Sequence, residues 1–275
     1  MSYFTTSDGL RIHYTDTGSG QPLLCLAGLT RCSGDFVFLT PRLSGIRMIT
    51  MDYRGRGKSD YDPDFSNYNV VRESQDAIEL LDHLGLEQAT ILGTSRGGLI
   101  AMVLASSSAD RLSGVILNDV GPVVEPAGIA RIMDYLGRKP VSKTHEQAAR
   151  ALKEAMEPHF PGVPIDIWRK QAEIQFTQTA EGLDLRYDAA LRDALLKQAA
   201  SGPPPDLWAL FQALGSIPTG VIRGANSDIL GADTLSEMHR HHPGLISVSV
   251  PDRGHVPFLD EPQSLEIINK ILEAA

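Results

Sequence analysis

Two kinds of apolar patterning alternate along the chain. Short unbroken apolar runs occur at Pro22 to Ala27, Ile46 to Met51, Ala89 to Leu92, Gly114 to Leu117, Thr219 to Ile222 and Leu245 to Val250. Runs of this length, without polar alternation, predict strands buried on both faces. Between them, apolar residues recur at helical spacing. The spacing predicts helices at Val70 to Leu84, closed by Gly85, and at Ser95 to Ser106, Ala232 to His241 and Ser264 to Ala274. Before the first run, Tyr3 to Thr17 reads as two strands around the turn Ser7-Asp8-Gly9. Alternating strand and helix predicts an α/β fold, a mostly parallel sheet covered by helices on both faces.

The alternation stops between about Gly121 and Ser216. This stretch is rich in helix formers, with helices expected at Ile129 to Leu136, Thr144 to Met156, Ile165 to Thr177 and Ala189 to Ala200. Gly202-Pro203-Pro204-Pro205 breaks the pattern, and Leu207 to Leu214 reads as one more helix. Sheet signal resumes at Ile217. The expected organisation is a core made of residues 1–120 and 217–275, with a helical insertion at 121–216.

Composition adds exclusions. The chain has 275 residues, 42% of them hydrophobic and 21% charged, with a formal net charge of −9. That size suits one large domain with an insertion. The acidic balance argues against nucleic acid and against anionic membrane surfaces as partners. No apolar run approaches the ~20 residues of a membrane span. The N-terminal Met-Ser-Tyr-Phe-Thr-Thr-Ser-Asp-Gly shows no basic region or apolar core of a secretory signal, so a cytoplasmic location is expected. The two cysteines, Cys25 and Cys32, read as free thiols, with Cys25 inside a strand. Gly57-Lys58-Ser59 ends like a phosphate-binding loop, but Asp52 stands where that loop needs a glycine, so it is discarded. No cofactor and no metal is expected. His239, His241 and His242 fall in or beside a helix with no carboxylate or cysteine spaced as a co-ligand.

The candidate chemistry centres on Ser95, in Gly93-Thr94-Ser95-Arg96-Gly97-Gly98, between the strand Ala89 to Leu92 and the helix that follows. A serine in this glycine-framed strand-to-helix turn is a nucleophile elbow. The helix N-terminus behind it offers free N–H groups to a developing anion. A serine hydroxyl needs a base, and the base needs an orienting acid. The base candidate is His255, in a loop after the last strand. Two acids satisfy the chain order Ser, Asp, His. Asp228, in Arg223-Gly224-Ala225-Asn226-Ser227-Asp228, is favoured; Asp119, after Gly114 to Leu117, reads as part of the turn into the insertion. Asp52 reads as a loop-bracing carboxylate for a neighbouring arginine. The oxyanion donors expected are the N–H groups of Arg96 and of Leu29, in Ala27-Gly28-Leu29.

Four motifs fall in order: Leu26-Ala27-Gly28-Leu29, Asp52-Tyr53-Arg54-Gly55-Arg56-Gly57-Lys58-Ser59-Asp60, Gly93-Thr94-Ser95-Arg96-Gly97-Gly98 and Gly254-His255. With them the chain resembles the α/β-hydrolase superfamily over nearly its whole length, in the branch that holds esterases, epoxide hydrolases and carbon–carbon bond hydrolases. The resemblance implies eight core strands, a helical cap inserted after the sixth, and Ser95, Asp228 and His255 as nucleophile, acid and base. Two departures stand out. Ala27 replaces the histidine usual in the oxyanion loop, and Arg96 replaces a residue that is commonly neutral. Arg96 either pairs with a nearby carboxylate or selects an anionic substrate.

The leading expectation is a serine hydrolase of small carboxylic esters, thioesters or lactones acting through an acyl-enzyme. The alternative is a carbon–carbon bond hydrolase of vinylogous diketones, and a remote one is a non-catalytic small-molecule receptor. A serine nucleophile argues against epoxide hydrolase and haloalkane dehalogenase chemistry, which in similar folds use an aspartate there. The partner expected is a small-molecule substrate. Specificity should lie in the insertion, where Trp168, Phe160, Phe176 and Met133 are candidate contacts that, at helical spacing, read first as its core.

Overall fold

The structure, a computed structural model, describes residues 2–202 and 206–275. The chain begins with an antiparallel pair, β1 (Ser2–Thr5) and β2 (Arg11–Gly18), followed by β3 (Gln21–Leu26) and β4 (Ile46–Met51). Then come α1 (Val70–His83), β5 (Ala89–Thr94), α2 (Arg96–Ser107) and β6 (Leu112–Asn118). The insertion carries α3 (Pro126–Tyr135), α4 (His145–Met156), α5 (Ile165–Gln175), a hairpin of β7 (Phe176–Thr179) and β8 (Gly182–Leu185), α6 (Leu191–Ala200) and α7 (Trp208–Gln212). The chain re-enters the sheet at β9 (Thr219–Gly224), then forms α8 (Ala232–His241), β10 (Ile246–Val250) and α9 (Pro262–Ala274).

Eight strands form one sheet in the order β1-β2-β4-β3-β5-β6-β9-β10. The pairs made by β2 are antiparallel, and β4 through β10 run parallel. The period-2 geometry of strands divides the apolar runs between two cores. Leu24, Leu26, Ile49, Ile91, Val115 and Val221 face one side with Leu80 of α1 and Ile100 of α2. Leu23, Cys25, Met48, Leu92, Ile116 and Ile222 face the other with Ile267, Ile268 and Ile271 of α9. Every expected core strand and helix is present, with ends shifted by one or two residues. No helix among the described residues is long and apolar enough to cross a membrane. Both cysteines are free thiols, and burial pushes the pKa of the half-buried Cys32 thiol up to about 12.

The insertion departs from the expected all-helical pattern. The helix starting at Ile165 stops at Gln175, and Phe176 and Thr177 open the hairpin instead. The local signal is Thr177-Gln178-Thr179, an alternating pair of β-branched residues, with Gly182 taking φ +131 just past the two-residue turn. The expected break at Pro203 to Pro205 lies outside the described residues.

The loop after β4 is fastened by charge. Arg54 is fully buried and bonds Asp76 of α1 (2.7 and 2.8 Å), Asp62 (2.5 Å) and Asp8 (3.0 Å). Burial acts to raise the Asp8 pKa, but the bonds and charges of Arg54 and Arg72 outweigh it and hold the carboxyl at about 2, below its ordinary 3.8. A depressed carboxylate pKa stabilises the fold above the unfolded value, and that share is lost as pH falls through the folded one. Asp8→Asn should therefore melt below the parent protein at neutral pH. The gap should close as pH drops from about 4 to about 2. A gap that persists at pH 2 would mean the charge is not its source.

Candidate active site

The sharp turn after β5 is enforced by crowding. Ser95 sits at φ 51, ψ −112, a left-handed conformation that a non-glycine residue adopts at a cost of ~1–3 kcal/mol. A Cβ on Gly93 would lie 2.4 Å from the Gly97 carbonyl oxygen, and one on Gly97 2.1 Å from that of Leu26. No side chain fits at either place. The strained turn holds Ser95 part-exposed at the carboxyl edge of the sheet, at the N-terminus of α2.

His255 meets it there. Its Nε2 is 2.9 Å from Ser95 Oγ, and its Nδ1 is 2.7 Å from Asp119 Oδ2. The carboxylate on the imidazole is thus that of Asp119, and the expectation that Asp228 would hold this position is corrected. Asp119 immediately follows β6, the strand beside β5, in a left-handed conformation (φ 57) that points its carboxylate across the strand ends. It is fully buried. Oδ1 accepts the Gly224 N–H (2.8 Å), and Oδ2 accepts the Ser227 hydroxyl (2.6 Å) as well as the imidazole. Asp228 faces the insertion instead, where Arg131 of α3 bonds it at 2.7 Å. The carboxylate on the imidazole comes from the loop after β6, and the loop after β9 supplies only groups that donate to it. Ser227, one position before Asp228, braces the carboxylate, and nothing in its sequence context marks it.

The loop that carries Leu29, one of the two expected oxyanion donors, lies close by. A side-chain carbon added at Gly28 would sit 3.9 Å from Ser95 Cβ, so the loop after β3 runs alongside the nucleophile. Among the described residues, neither the Leu29 nor the Arg96 backbone N–H donates to another group. The loop is braced at three successive carbonyls. Ala27 accepts from Tyr53 Oη (3.0 Å) and the Gly97 N–H (3.1 Å), Gly28 from the Arg31 N–H (3.1 Å), and Leu29 from Arg56 Nε (3.0 Å).

Two expectations about nearby charges resolve. The side chain of Arg96 turns to Glu73 of α1, with Nε 2.5 Å from Oε2, and is 7% exposed. Of its two readings, the carboxylate partner is the one observed. Asp52 does brace its loop, through the Ser33 and Lys58 N–H groups (2.6 and 3.0 Å), but its side-chain partner is His13 (2.9 Å) and not an arginine. Arginine cannot reach it because Arg54 and Arg56 both point to α1. A Cβ at Gly57 would collide with Asp52 Oδ2 at 2.3 Å, which explains the glycine.

The candidate contacts in the insertion form an aromatic wall. Phe160 stacks on Phe258, three residues past His255 (5.4 Å between centroids), and Trp168 meets both edge-on. Phe160 and Trp168 are buried in the core of the insertion, as Phe176 and Met133 are in part. Trp168 Nε1 is buried without a partner. No cluster of three or more metal-ligating side chains occurs among the described residues.

A nucleophile elbow, an imidazole in line with it and a buried carboxylate at the ends of adjoining strands agree with the family comparison. The model of the α/β hydrolase fold matches residues 21–262. The chain belongs to the α/β hydrolase family. It is 33% identical to the 3-hydroxybutyrate-oligomer hydrolase of Cupriavidus necator over 94% of this chain and 91% of that one. It is also 30% identical to the sn-1-specific diacylglycerol lipase of Mus musculus, over 80% of this chain and 69% of that one. A crystal structure of an alpha/beta hydrolase from Novosphingobium aromaticivorans superposes with a TM-score of 0.93 at 39% identity, covering 100% and 98% of the two chains. The protein is thus a hydrolase by family.

Proposed function

We propose that this hydrolase cleaves carboxylic esters through a covalent acyl-enzyme on Ser95. The observation that carries the reading is the continuous line Ser95 Oγ–His255 Nε2–His255 Nδ1–Asp119 Oδ2, at 2.9 and 2.7 Å. His255 Nε2 accepts the serine proton as Oγ attacks the ester carbonyl. Asp119 stays ionised, fixes the Nδ1–H tautomer and stabilises the imidazolium. The Leu29 and Arg96 N–H groups take the oxyanion of the tetrahedral intermediate. His255 returns the proton to the departing alcohol. It then takes a proton from water as the water oxygen attacks the acyl carbonyl, and returns it to Ser95 Oγ as the bond to the acid breaks.

The substrate class is proposed from two of the relatives together with the aromatic side chains beside His255. A 3-hydroxybutyrate oligomer joins hydroxyl to carboxyl and is a short aliphatic polyester. Diacylglycerol likewise presents an aliphatic acyl ester. Half-buried Phe258, three residues past His255 and backed by the buried Phe160 and Trp168, offers an apolar surface for such an acyl chain. A panel of 3-hydroxybutyrate dimer and trimer, p-nitrophenyl butyrate and a vinylogous diketone tests this. Turnover of the esters above the diketone is expected. Preference for the diketone would transfer the reading to carbon–carbon cleavage, and turnover of none would leave a receptor.

A further inference from the structure

Arg56 occupies an unspecified position of the Asp-x-Arg-Gly-x-Gly-x-Ser stretch, and the specified arginine, Arg54, is engaged elsewhere with three carboxylates. Arg56 is fully buried, an environment that disfavours an unpaired charge unless its N–H groups are satisfied. Its partners are specific. Nε donates to the Leu29 carbonyl (3.0 Å), Nη1 donates to the Arg54 carbonyl (2.7 Å), and Nη1 lies 2.8 Å from Glu73 Oε1. Its guanidinium carbon sits 5.5 Å from the Tyr53 ring centre and 5.3 Å from that of Tyr68. The other oxygen of Glu73 holds Arg96, the residue after the nucleophile. Glu73 therefore ties together two arginines, one bonded to Leu29 and the other adjacent to Ser95 in sequence.

We propose that Arg56 is a positioning residue for the oxyanion hole, holding the Leu29 peptide so that its N–H stays aimed at the reacting carbonyl. The inference rests on the ester-hydrolase reading. Its physical basis is that the loop after β3 has no regular secondary structure to hold it. The peptide carrying the Leu29 N–H is fixed at one end by the Gly28 carbonyl bond to Arg31. The next peptide is fixed by Arg56 alone. With both peptide planes held, the dihedral angles at Leu29 cannot drift, and the donor is in place before charge develops. Where relatives of this fold usually carry a histidine, Ala27 has no side chain to contribute, and Tyr53 and Arg56 brace the loop from beneath. Two buried arginines around one glutamate also leave a net positive charge behind the hole. In addition, Nη2 of each arginine is buried without a partner.

The test compares Arg56→Met and Arg56→Lys with the parent enzyme on p-nitrophenyl butyrate, with folding checked by circular dichroism and thermal melting. Loss of an oxyanion donor outright costs about 100-fold or more, so loss of its positioning should lower kcat about 30-fold in Arg56→Met, with KM within about 3-fold. Affinity for phenylboronic acid, whose tetrahedral adduct on Ser95 places a hydroxyl in the hole, should fall by a similar factor. Arg56→Lys keeps the charge but loses the planar fork that reaches Leu29 and Glu73 together, so kcat should stay low. A folded Arg56→Met with parental kcat and boronate affinity, or a change confined to KM, overturns the proposal. Full recovery of kcat in Arg56→Lys overturns it too. Should Arg56→Met not fold, Arg56→Lys carries the test alone, since parental kcat there refutes the clamp. If the parent enzyme neither turns over esters nor binds the boronate, it is the ester-hydrolase reading that fails.

Discussion

Ser95→Ala should lower ester turnover by about three orders of magnitude or more while leaving the melting temperature nearly unchanged. Removing a triad member leaves only substrate binding and the oxyanion donors, which account for the residual rate. Stability should change little, because alanine keeps the same backbone and loses only the hydroxyl. The Ser95 φ of 51 costs ~1–3 kcal/mol, which alanine inherits without gain, and the serine hydroxyl bonds only the part-exposed His255. A fluorophosphonate probe should label Ser95 in the parent protein and nothing in the variant. Ser106, Ser107 and Ser108, at the far end of α2, have no histidine partner. Near-parental kcat in purified Ser95→Ala, or undiminished labelling, would remove Ser95 from the mechanism.

Asp119→Asn should cost about four orders of magnitude in kcat, while Asp228→Asn should leave activity within about 3-fold of the parent. The hydrogen-bond geometry dictates the first result. Gly224 and Ser227 both donate to Asp119. An asparagine satisfies the Gly224 N–H by placing its oxygen there, which turns its NH₂ towards His255 Nδ1. The imidazole must then accept at Nδ1 and carry its proton on Nε2, where it can no longer take one from Ser95. Asp228→Asn removes only the half-buried bond to Arg131, at a cost of about 1 kcal/mol or less to the docking of α3. The reverse order of damage, with both variants folded, would return the acid to Asp228.

The core was legible because each strand buried on both faces leaves an unbroken apolar run, and the elbow glycines are required by backbone collisions that permit no alternative. Ser95 and His255 follow from context of this kind. The acid was not legible in the same way. Asp119 and Asp228 both follow a core strand and both precede His255. What separates them is the left-handed turn at Asp119 and the two donors that hold its carboxylate, which are set by packing between strands far apart in sequence. The same holds for Arg56, whose partners Leu29 and Glu73 are 27 and 17 positions away. The β7–β8 hairpin was hidden by its brevity, since four-residue strands leave little periodicity beside the helix that precedes them.

The insertion does not grip the core equally around its rim. At 186–188 the attachment is made by the main chain. Gly57 N–H donates to the Arg186 carbonyl, Asp188 N–H donates to the Gly55 carbonyl (2.8 Å each), and Tyr187 bridges Arg56. Where α5 approaches the loop after β3, a side-chain bond does the holding, through Arg31 to Gln171, and a Cβ added at Gly34 would meet the Ile174 side chain at 3.3 Å. Side chains can swing aside through rotamer changes, whereas paired peptides must break together and strand their groups from water. The insertion therefore has a welded edge and a latched one. The welded edge belongs to the loop that carries Arg56, and the latched one to the loop that carries Leu29.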